Sequence, residues 1–180
     1  MGLAEVKKEL KKLEKDKLID LIGDLYKKQK SVKEYLEFFV NQDEEKLLAT
    51  YKDRVLYAFY PKRGTNYSIK DAKQALKEFE KLEPSPEYIA DLRLYYVETG
   101  IDFCNDFGNM DDSFYNSLSS VYYNCISLIQ SLDLIAIFEQ RLLKLLDNTH
   151  KVGWGIGDYF DEEFSNHFPG IKYNYQTFDI

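Results

Sequence analysis

The sequence has little of what covalent, metal or membrane chemistry needs. It contains two cysteines and two histidines among 180 residues. Cys104 and Cys125 both fall within apolar helical patterns, which predicts buried thiols and not a disulfide. No two of these four residues show the short ligand spacing of a structural zinc site, so neither a metal nor a cofactor is expected. No apolar run approaches the roughly 20 residues that a bilayer span requires, and a cytoplasmic protein is expected.

Positive charge is missing from the middle of the chain. Residues 94–140 contain no lysine or arginine but seven acidic residues, whereas residues 1–33 contain ten lysines and six acidic residues. The formal net charge is -7. A chain with this balance is a poor candidate for tracking phosphates along a nucleic acid. Four prolines, nine glycines and 44% apolar residues indicate a folded globule and not a disordered chain.

Apolar residues recur at spacings of three and four from Leu3 to Phe168, the pattern of amphipathic helices. The predicted fold is all-α, with about seven to nine helices in antiparallel hairpins that form a bundle or a short stack. Residues 1–170 are predicted to form a single domain, and residues 171–180 an extended C-terminal arm, because apolar and polar residues alternate there. The stretch 113–146 is apolar on more than one side of its helices, which places it at the centre of the predicted core.

Several helix boundaries carry recognisable signals. Ser68 with Asp71, and Ser85 followed by Pro86, predict helix starts. Asp16 and Asp158 are predicted N-caps, and Ser31 with Glu34 a capping box. Gly100 lies inside a predicted helix, where it predicts a close helix crossing or a kink.

Five local strings support a resemblance. They are Leu10–Ile22 (LKKLEKDKLIDLI), Phe59–Gly64 (FYPKRG), Tyr96–Gly100 (YVETG), Asn105–Gly108 (NDFG) and Gly153–Tyr159 (GWGIGDY). Together they make the chain resemble a bacterial family, the domain of unknown function 6155 family. The resemblance implies an all-helical cytoplasmic protein without an assigned activity, so it transfers no catalytic residue.

The first candidate site follows a helix end. Lys62 and Arg63 come directly after Pro61, and Tyr67 follows in the same loop. Two cations there could hold a phosphate or carboxylate, Arg63 through two parallel hydrogen bonds. The alternative is that they offset the dipole of the preceding helix and pair with nearby acids.

The second candidate is acidic. Glu98, Asp102, Asn105 and Asp106 are spaced so that several can share one helix face. Such a cluster could bind a divalent cation or contain a carboxyl of raised pKa. The following residues do not match a calcium loop, and the alternative is a solvated acidic face or a partner for Lys62 and Arg63.

The third candidate is the turn around Trp154, with Asp158 and Tyr159 next to it. Its glycines lack the spacing of a nucleotide-binding loop and suit a helix end better. An exposed tryptophan beside tyrosines would be a plausible anchor for a partner, and a half-buried core tryptophan is the alternative.

These observations favour a non-enzymatic interaction module that binds a partner protein or a second copy, with fifteen tyrosines as contact residues. One alternative is a small-ligand binder or an enzyme that uses Arg63, Glu98 and Asp106 in an aromatic cleft. A second is weak nucleic-acid binding through the lysine-rich N-terminal helices. Nothing in the sequence pairs a serine or cysteine nucleophile with a histidine, so no catalytic residue is predicted.

Overall fold

The computed structural model describes residues 1–64, 66–153 and 155–173. These residues contain nine α-helices and no strand, which confirms the all-α prediction. The helices are α1 (Leu3–Leu10), α2 (Lys15–Lys28), α3 (Lys30–Asn41), α4 (Glu44–Phe59), α5 (Ile69–Glu80), α6 (Pro86–Phe107), α7 (Asp112–Ser131), α8 (Ile135–Thr149) and α9 (Ile156–His167). None of the described helices is both long and apolar enough to cross a bilayer.

Contacts divide the chain into two compact units, Met1–Asp43 and Glu44–Ile180. The single domain over residues 1–170 stays a prediction. Of the predicted C-terminal arm, residues 174–180 lie outside the described part of the chain. Residues 171–173 have no regular secondary structure, and the Tyr173 hydroxyl donates a hydrogen bond to Asp147 Oδ1 at 3.0 Å.

The first unit consists of α1, α2 and α3, of which α2 and α3 pack as a hairpin. The Tyr26 hydroxyl donates to Glu37 Oε1 at 2.8 Å across this hairpin. None of the three helices contains a buried residue. Its apolar contacts come from half-buried side chains such as Leu18, Val32 and Leu36, so the unit has only a thin core and depends more than usual on helix propensity and surface pairs.

The second unit repeats one motif. The Tyr51 ring of α4 lies near the Phe79 ring of α5, and Ala58 accepts a backbone hydrogen bond from Ser68. Residue numbers therefore increase in opposite directions along the two helices. The pair is therefore antiparallel. In α6 and α7, Tyr96 bonds Ser117 and Ala90 accepts from Cys125, which is antiparallel again.

Helices two apart in the chain run parallel. Glu44 at the start of α4 bonds Ser85, and Tyr60 directly after α4 bonds Asp106, at the two ends of α6. In the same sense, α6 runs parallel to α8, through Glu98 to Arg141 and Asn105 to Asn148. With α8 and α9 in contact as the third pair, the unit is a short stack of helical hairpins whose first helices lie side by side.

The core is centred on α6, which contacts α4, α5, α7 and α8. The expectation that residues 113–146 form the centre is wrong, because α7 and α8 pack mainly on other helices and only weakly on each other. Phe59 lies 5.2 Å from Tyr96 and 5.7 Å from Phe114, ring centre to ring centre, which ties α4, α6 and α7 together. Burying aromatic rings of this size contributes most of the stabilisation in such a core.

Helix starts are predicted well only where the cap is unambiguous. Ser68 caps α5 by accepting from the Asp71 N–H, and Ser85 precedes Pro86 at the start of α6, as predicted. The N-caps of α2, α3 and α9 are Glu14, Gln29 and Gly155. The predicted caps at Asp16, Ser31 and Asp158 are therefore wrong by two or three residues. All three lie within the first turn, where serine and acidic side chains are also favoured, so the sequence signal is blurred.

Gly100 marks the closest approach of α6 and α7. A methyl group at this position would overlap Leu118 Cδ2, and both residues are buried. The predicted close crossing is confirmed.

We expect Gly100→Ala to destabilise the protein by up to about 2 kcal/mol. Overpacking a core costs about 1–3 kcal/mol, and alanine recovers about 1 kcal/mol of helix propensity. Chemical denaturation followed by circular dichroism measures the change. The control is Gly23→Ala in α2, where an added Cβ meets nothing within 4 Å. That variant is expected to be neutral or stabilising, and a stabilised Gly100→Ala variant would contradict the crossing.

Candidate functional site

The candidate site is a groove of about 690 Å³ between the first helices of the three hairpins. We call it the α4–α6–α8 groove. It is lined by residues from all three helices, namely Leu56, Tyr60, Tyr95, Glu98, Thr99, Asp102, Asn105, Asp106, Arg141, Lys144, Leu145 and Asn148. Because the three helices run parallel, each contributes residues at spacings of three and four from one face.

One wall of the groove is acidic. Glu98, Asp102 and Asp106 follow each other at one-turn spacing along α6. Burial, followed by the negative charges of Glu98 and Asp106, raises the pKa of Asp102 above its ordinary value of 3.8. The ionised form of Asp102 is therefore held at a cost to stability, as is common for residues that serve binding or catalysis.

Tyr60 completes this wall. Its hydroxyl donates to Asp106 Oδ2 at 2.7 Å, and burial together with this hydrogen bond raises the pKa of Tyr60. The phenol is therefore a neutral donor at physiological pH. Its ring lies 5.2 Å from that of Phe103, edge to face, so packing fixes the direction in which the hydroxyl points.

The opposite wall carries Arg141 on α8. Its Nη2 and Nε bond the two carboxylate oxygens of Glu98 at 2.7 and 3.0 Å, and its Nη1 bonds Asp91 Oδ1 at 2.7 Å. Lys52 of α4 reaches the same Asp91 oxygen at 2.8 Å. Burial acts to lower the pKa of Arg141, but the bonds and charges of Glu98 and Asp91 outweigh it and raise that pKa. This four-residue network joins α4, α6 and α8.

A second pocket continues the groove. It has a volume of about 390 Å³ and is lined by Glu45, Leu48, Ala49, Lys52, Glu87, Tyr88 and Asp91. These positions continue the helical spacing of the first pocket toward the beginnings of α4 and α6. The Lys52–Asp91–Arg141 ion pairs lie where the two pockets meet. The two pockets therefore lie in line along the seam between α4 and α6, separated by these ion pairs, and we call this line the track.

The predicted site residues are only partly brought together. Glu98, Asn105 and Asp106 line the α4–α6–α8 groove. Lys62 and Arg63 are exposed after the end of α4, and Lys62 Nζ lies 3.9 Å from the centre of the Tyr57 ring. The partner of Glu98 is Arg141, which lies just beyond the lysine- and arginine-free stretch of the sequence.

Of the other four predicted residues, the three that the structure describes are not among those that line the groove. Tyr67 is half-buried, with its ring centre 5.1 Å from that of Phe103. Asp158 is exposed in the first turn of α9, and Tyr159 is half-buried beside Phe160 at 6.1 Å between ring centres. Trp154 lies outside the described residues.

Sequence reasoning missed the residues that come from other helices. Tyr60, Tyr95, Arg141, Lys144 and Asn148 all line the groove but were not singled out. One usable signal existed on α8, where Arg141, Lys144 and Asn148 interrupt an apolar helix at spacings of three and four. A polar stripe on a helix that is otherwise buried indicates a solvent-facing groove.

Comparison with known proteins gives a family but no activity. Residues 1–168 match the family of unknown function DUF6155. The chain belongs to the DUF6155 family. No curated protein and no solved structure matches it. The resemblance seen in the sequence is thereby confirmed, and the groove of this DUF6155 protein has to be interpreted from its own chemistry.

Within the described residues of the DUF6155 protein, no three histidine, cysteine or acidic side chains are placed to hold a metal ion. Cys104 and Cys125 are free and buried, as predicted. Burial raises the pKa of Cys104 to about 11 and that of Cys125 to about 12. Neither thiol is therefore ionised at physiological pH, which makes both poor nucleophiles.

One serine does pair with a histidine, so the expectation that no nucleophile would do so is wrong. Ser127 Oγ of α7 lies 3.1 Å from His167 Nε2 of α9, and His167 Nδ1 lies 2.8 Å from the Glu163 carbonyl oxygen. The parallel packing of α7 and α9 creates this contact between residues far apart in sequence. Ser127 lies near the C-terminal end of α7, where the helix dipole opposes an oxyanion. We therefore interpret the pair as a tie between helices.

We expect Arg141→Met to destabilise the DUF6155 protein by about 2 kcal/mol, between the effects of breaking exposed and buried ion pairs. The substitution keeps most of the side-chain length but leaves Glu98 and Asp91 without their shared cation. Thermal or chemical unfolding measures the loss. The matched control is Lys144→Met, an exposed cation one turn further along α8, which is expected to change stability by less than about 0.5 kcal/mol. Equal effects of the two substitutions would contradict the role assigned to the network.

Asp102→Asn is expected to stabilise the protein at neutral pH. The pKa of Asp102 is raised in the folded chain, so folding is penalised once the pH rises through that pKa, and the amide removes the penalty. The advantage over the unsubstituted protein should vanish below about pH 4, where the carboxyl is protonated in both states. Denaturant unfolding across the pH range tests this, with exposed Glu162→Gln as the control. A gain that persisted in acid would show that charge is not its cause.

Proposed function

We propose that this DUF6155 protein is a binding module that holds a positively charged, extended segment of a partner protein in the α4–α6–α8 groove. The observation that supports this most directly is the row of three carboxylates, Glu98, Asp102 and Asp106, on the groove wall. Of these, only Glu98 has an arginine partner among the described residues. The penalty on Asp102 is relieved when a cation approaches, so binding a lysine or arginine side chain would be favoured over an empty groove.

The shape of the track favours a chain over a compact molecule. From Glu87 to Asp106 the face of α6 extends about 28 Å at 1.5 Å per residue. An extended segment of about nine residues covers that length at about 3.3 Å per residue. Tyr60, Tyr88 and Tyr95 line the track, and such rings offer contact area as well as cation–π attraction for basic side chains.

The second candidate function is the binding of a small cationic molecule in the first pocket alone. Its volume of about 690 Å³ lies in the range usual for ligand pockets. Asp102 is nevertheless an exposed residue, so the groove does not sequester its contents from water as most active sites do. The open groove therefore supports an interaction role more than an enzymatic one.

Nucleic-acid binding by the N-terminal helices has less support. Lys12, Lys28, Lys30 and Lys33 each form an ion pair with an acidic residue three or four positions away, at 2.7 to 3.8 Å. Lysines paired in this way are typical of a solvated helix surface.

The test is binding of a fluorescent peptide of about nine residues, alternating lysine or arginine with small residues, to the full chain. Fluorescence anisotropy should show binding that weakens with added salt and is absent for the glutamate counterpart of the peptide. Replacing both Asp102 and Asp106 by asparagine should weaken binding about tenfold, because two charge contacts together contribute about 1.4 kcal/mol. Asparagine keeps an acceptor for the Tyr60 hydroxyl.

The matched control is Asp158→Asn with Glu162→Gln, which removes the same number of charges from exposed positions on α9. It should bind as the unsubstituted chain does. Equal weakening in both double variants would show a general charge effect and contradict the groove. Binding of a single free diamine with the affinity of the peptide would favour the small-molecule function instead.

A further inference from the structure

A second surface of the molecule lies in the unit formed by residues 1–43. Eleven large apolar side chains there are exposed by 38% or more: Met1, Leu3, Val6, Leu13, Ile19, Leu21, Ile22, Leu25, Tyr35, Phe39 and Val40. On α2, Leu21, Ile22 and Leu25 lie on one side at helical spacing, and on α3 Tyr35 and Phe39 do the same. The rings of Tyr35 and Phe39 stack with their centres 6.5 Å apart.

We propose that the part of this surface on α2 and α3, the α2–α3 face, pairs with the same face of a second copy of the chain. It consists of Ile19, Leu21, Ile22, Leu25, Tyr35, Phe39 and Val40. Two α2–α3 hairpins would then form a four-helix arrangement, the usual way in which helical hairpins bury a shared apolar stripe. The interface would be isologous, each copy contributing the same residues.

The amount of exposed surface fits this occupant. At roughly 80 Å² each, the seven side chains offer on the order of 560 Å², close to what one partner contributes to the smaller specific interfaces of about 1,200 Å² in total. None of the three helices contains a fully buried residue, so the core of this unit is thin, and association is one way to extend it.

The charge of α2 and α3 favours a second copy of the chain, and not a nucleic acid or an anionic bilayer, as the partner of this face. The polar sides of α2 and α3 carry six lysines and five acidic residues, so this hairpin is nearly neutral. Lys28, Lys30 and Lys33 are paired with acids of the same helices. A nucleic acid or an anionic bilayer attracts a surface with a large positive excess, which this face lacks. A nearly neutral surface of mixed sign can instead meet its own copy without net repulsion.

The experiment is sedimentation velocity or light scattering of the full chain over a series of concentrations. The unsubstituted chain should approach twice its monomer mass of 21.2 kDa as concentration rises. Ile22→Glu should raise the dimer dissociation constant about 100-fold, since a two-fold interface contains the substitution twice and each copy costs about 1.4 kcal/mol. Ile22 is 47% exposed, so the monomer should keep its helical circular dichroism.

The matched control is Ile137→Glu in α8, an isoleucine exposed by 54% that lies outside the α2–α3 face. It should leave the dimer intact. A monomer at every concentration would overturn the proposal and leave the face for a different protein. A dimer that survives Ile22→Glu, or one that Ile137→Glu dissociates equally, would also overturn it. Since the groove variants at Asp102 and Asp106 should not change the mass, this result is independent of peptide binding.

Discussion

The packing of α6 constrains the rest of the second unit. Four helices contact it, and its buried residues point in nearly every direction around the helix axis. Gly100 allows α7 to approach on one side, while the Phe59 ring lies against Tyr96 on another. Only one strip of α6, from Glu87 to Asp106, is left facing outward between α4 and α8. The acidic residues of the groove all lie on that strip of α6, because the rest of the helix surface packs in the core.

This constraint explains why the acidic residues are close together in spite of their repulsion. The acidic side chains of α6 lie on the outward strip, because burying them without a partner would cost far more than like-charge repulsion. Arg93, on another side of α6, is the exception and is paired with Glu80. Arg141 offsets part of the repulsion by binding Glu98 and Asp91. Asp102 and Asp106 form none of the described ion pairs. Desolvation and then the charges of Glu98 and Asp106 raise the pKa of Asp102, and the charge of Lys144 offsets only part of this rise. The groove therefore keeps an excess of negative charge.

The helical fold could be predicted from the sequence because each helix carries its own periodicity. The pattern around Leu118 and Val121, for example, shows a buried face whichever helix covers it. Periodicity does not, however, determine which helices pack against each other. The stretch 113–146 looked central because α7 and α8 are both strongly apolar, yet α6, interrupted by a glycine and several acids, is the helix that the others surround.

The same reason limits prediction of the site. Glu98, Asn105 and Asp106 could be found because they share one helix, and helical spacing alone places them on one face. Arg141 and Tyr60 could not, since their distance from Glu98 and Asp106 depends on how three parallel helices are arranged. The predicted pairing of Lys62 and Arg63 with the acidic face rested on charge alone. The arginine that binds Glu98 comes from α8 instead.

The two units differ in how much of their apolar surface they bury. Unit Glu44–Ile180 buries a continuous set of aromatic and aliphatic side chains and leaves a polar groove, so a ligand there would be recognised chiefly by charge. Unit Met1–Asp43 pairs its charges locally and leaves its apolar residues exposed, so a partner there would be recognised chiefly by buried area. Added salt should therefore weaken association at the groove while leaving association at the α2–α3 face nearly unchanged, because screening acts on charge and not on apolar surface. Two surfaces that differ in this way would bind their partners through different forces, which suits the proposed protein that joins a second copy of itself to a basic partner.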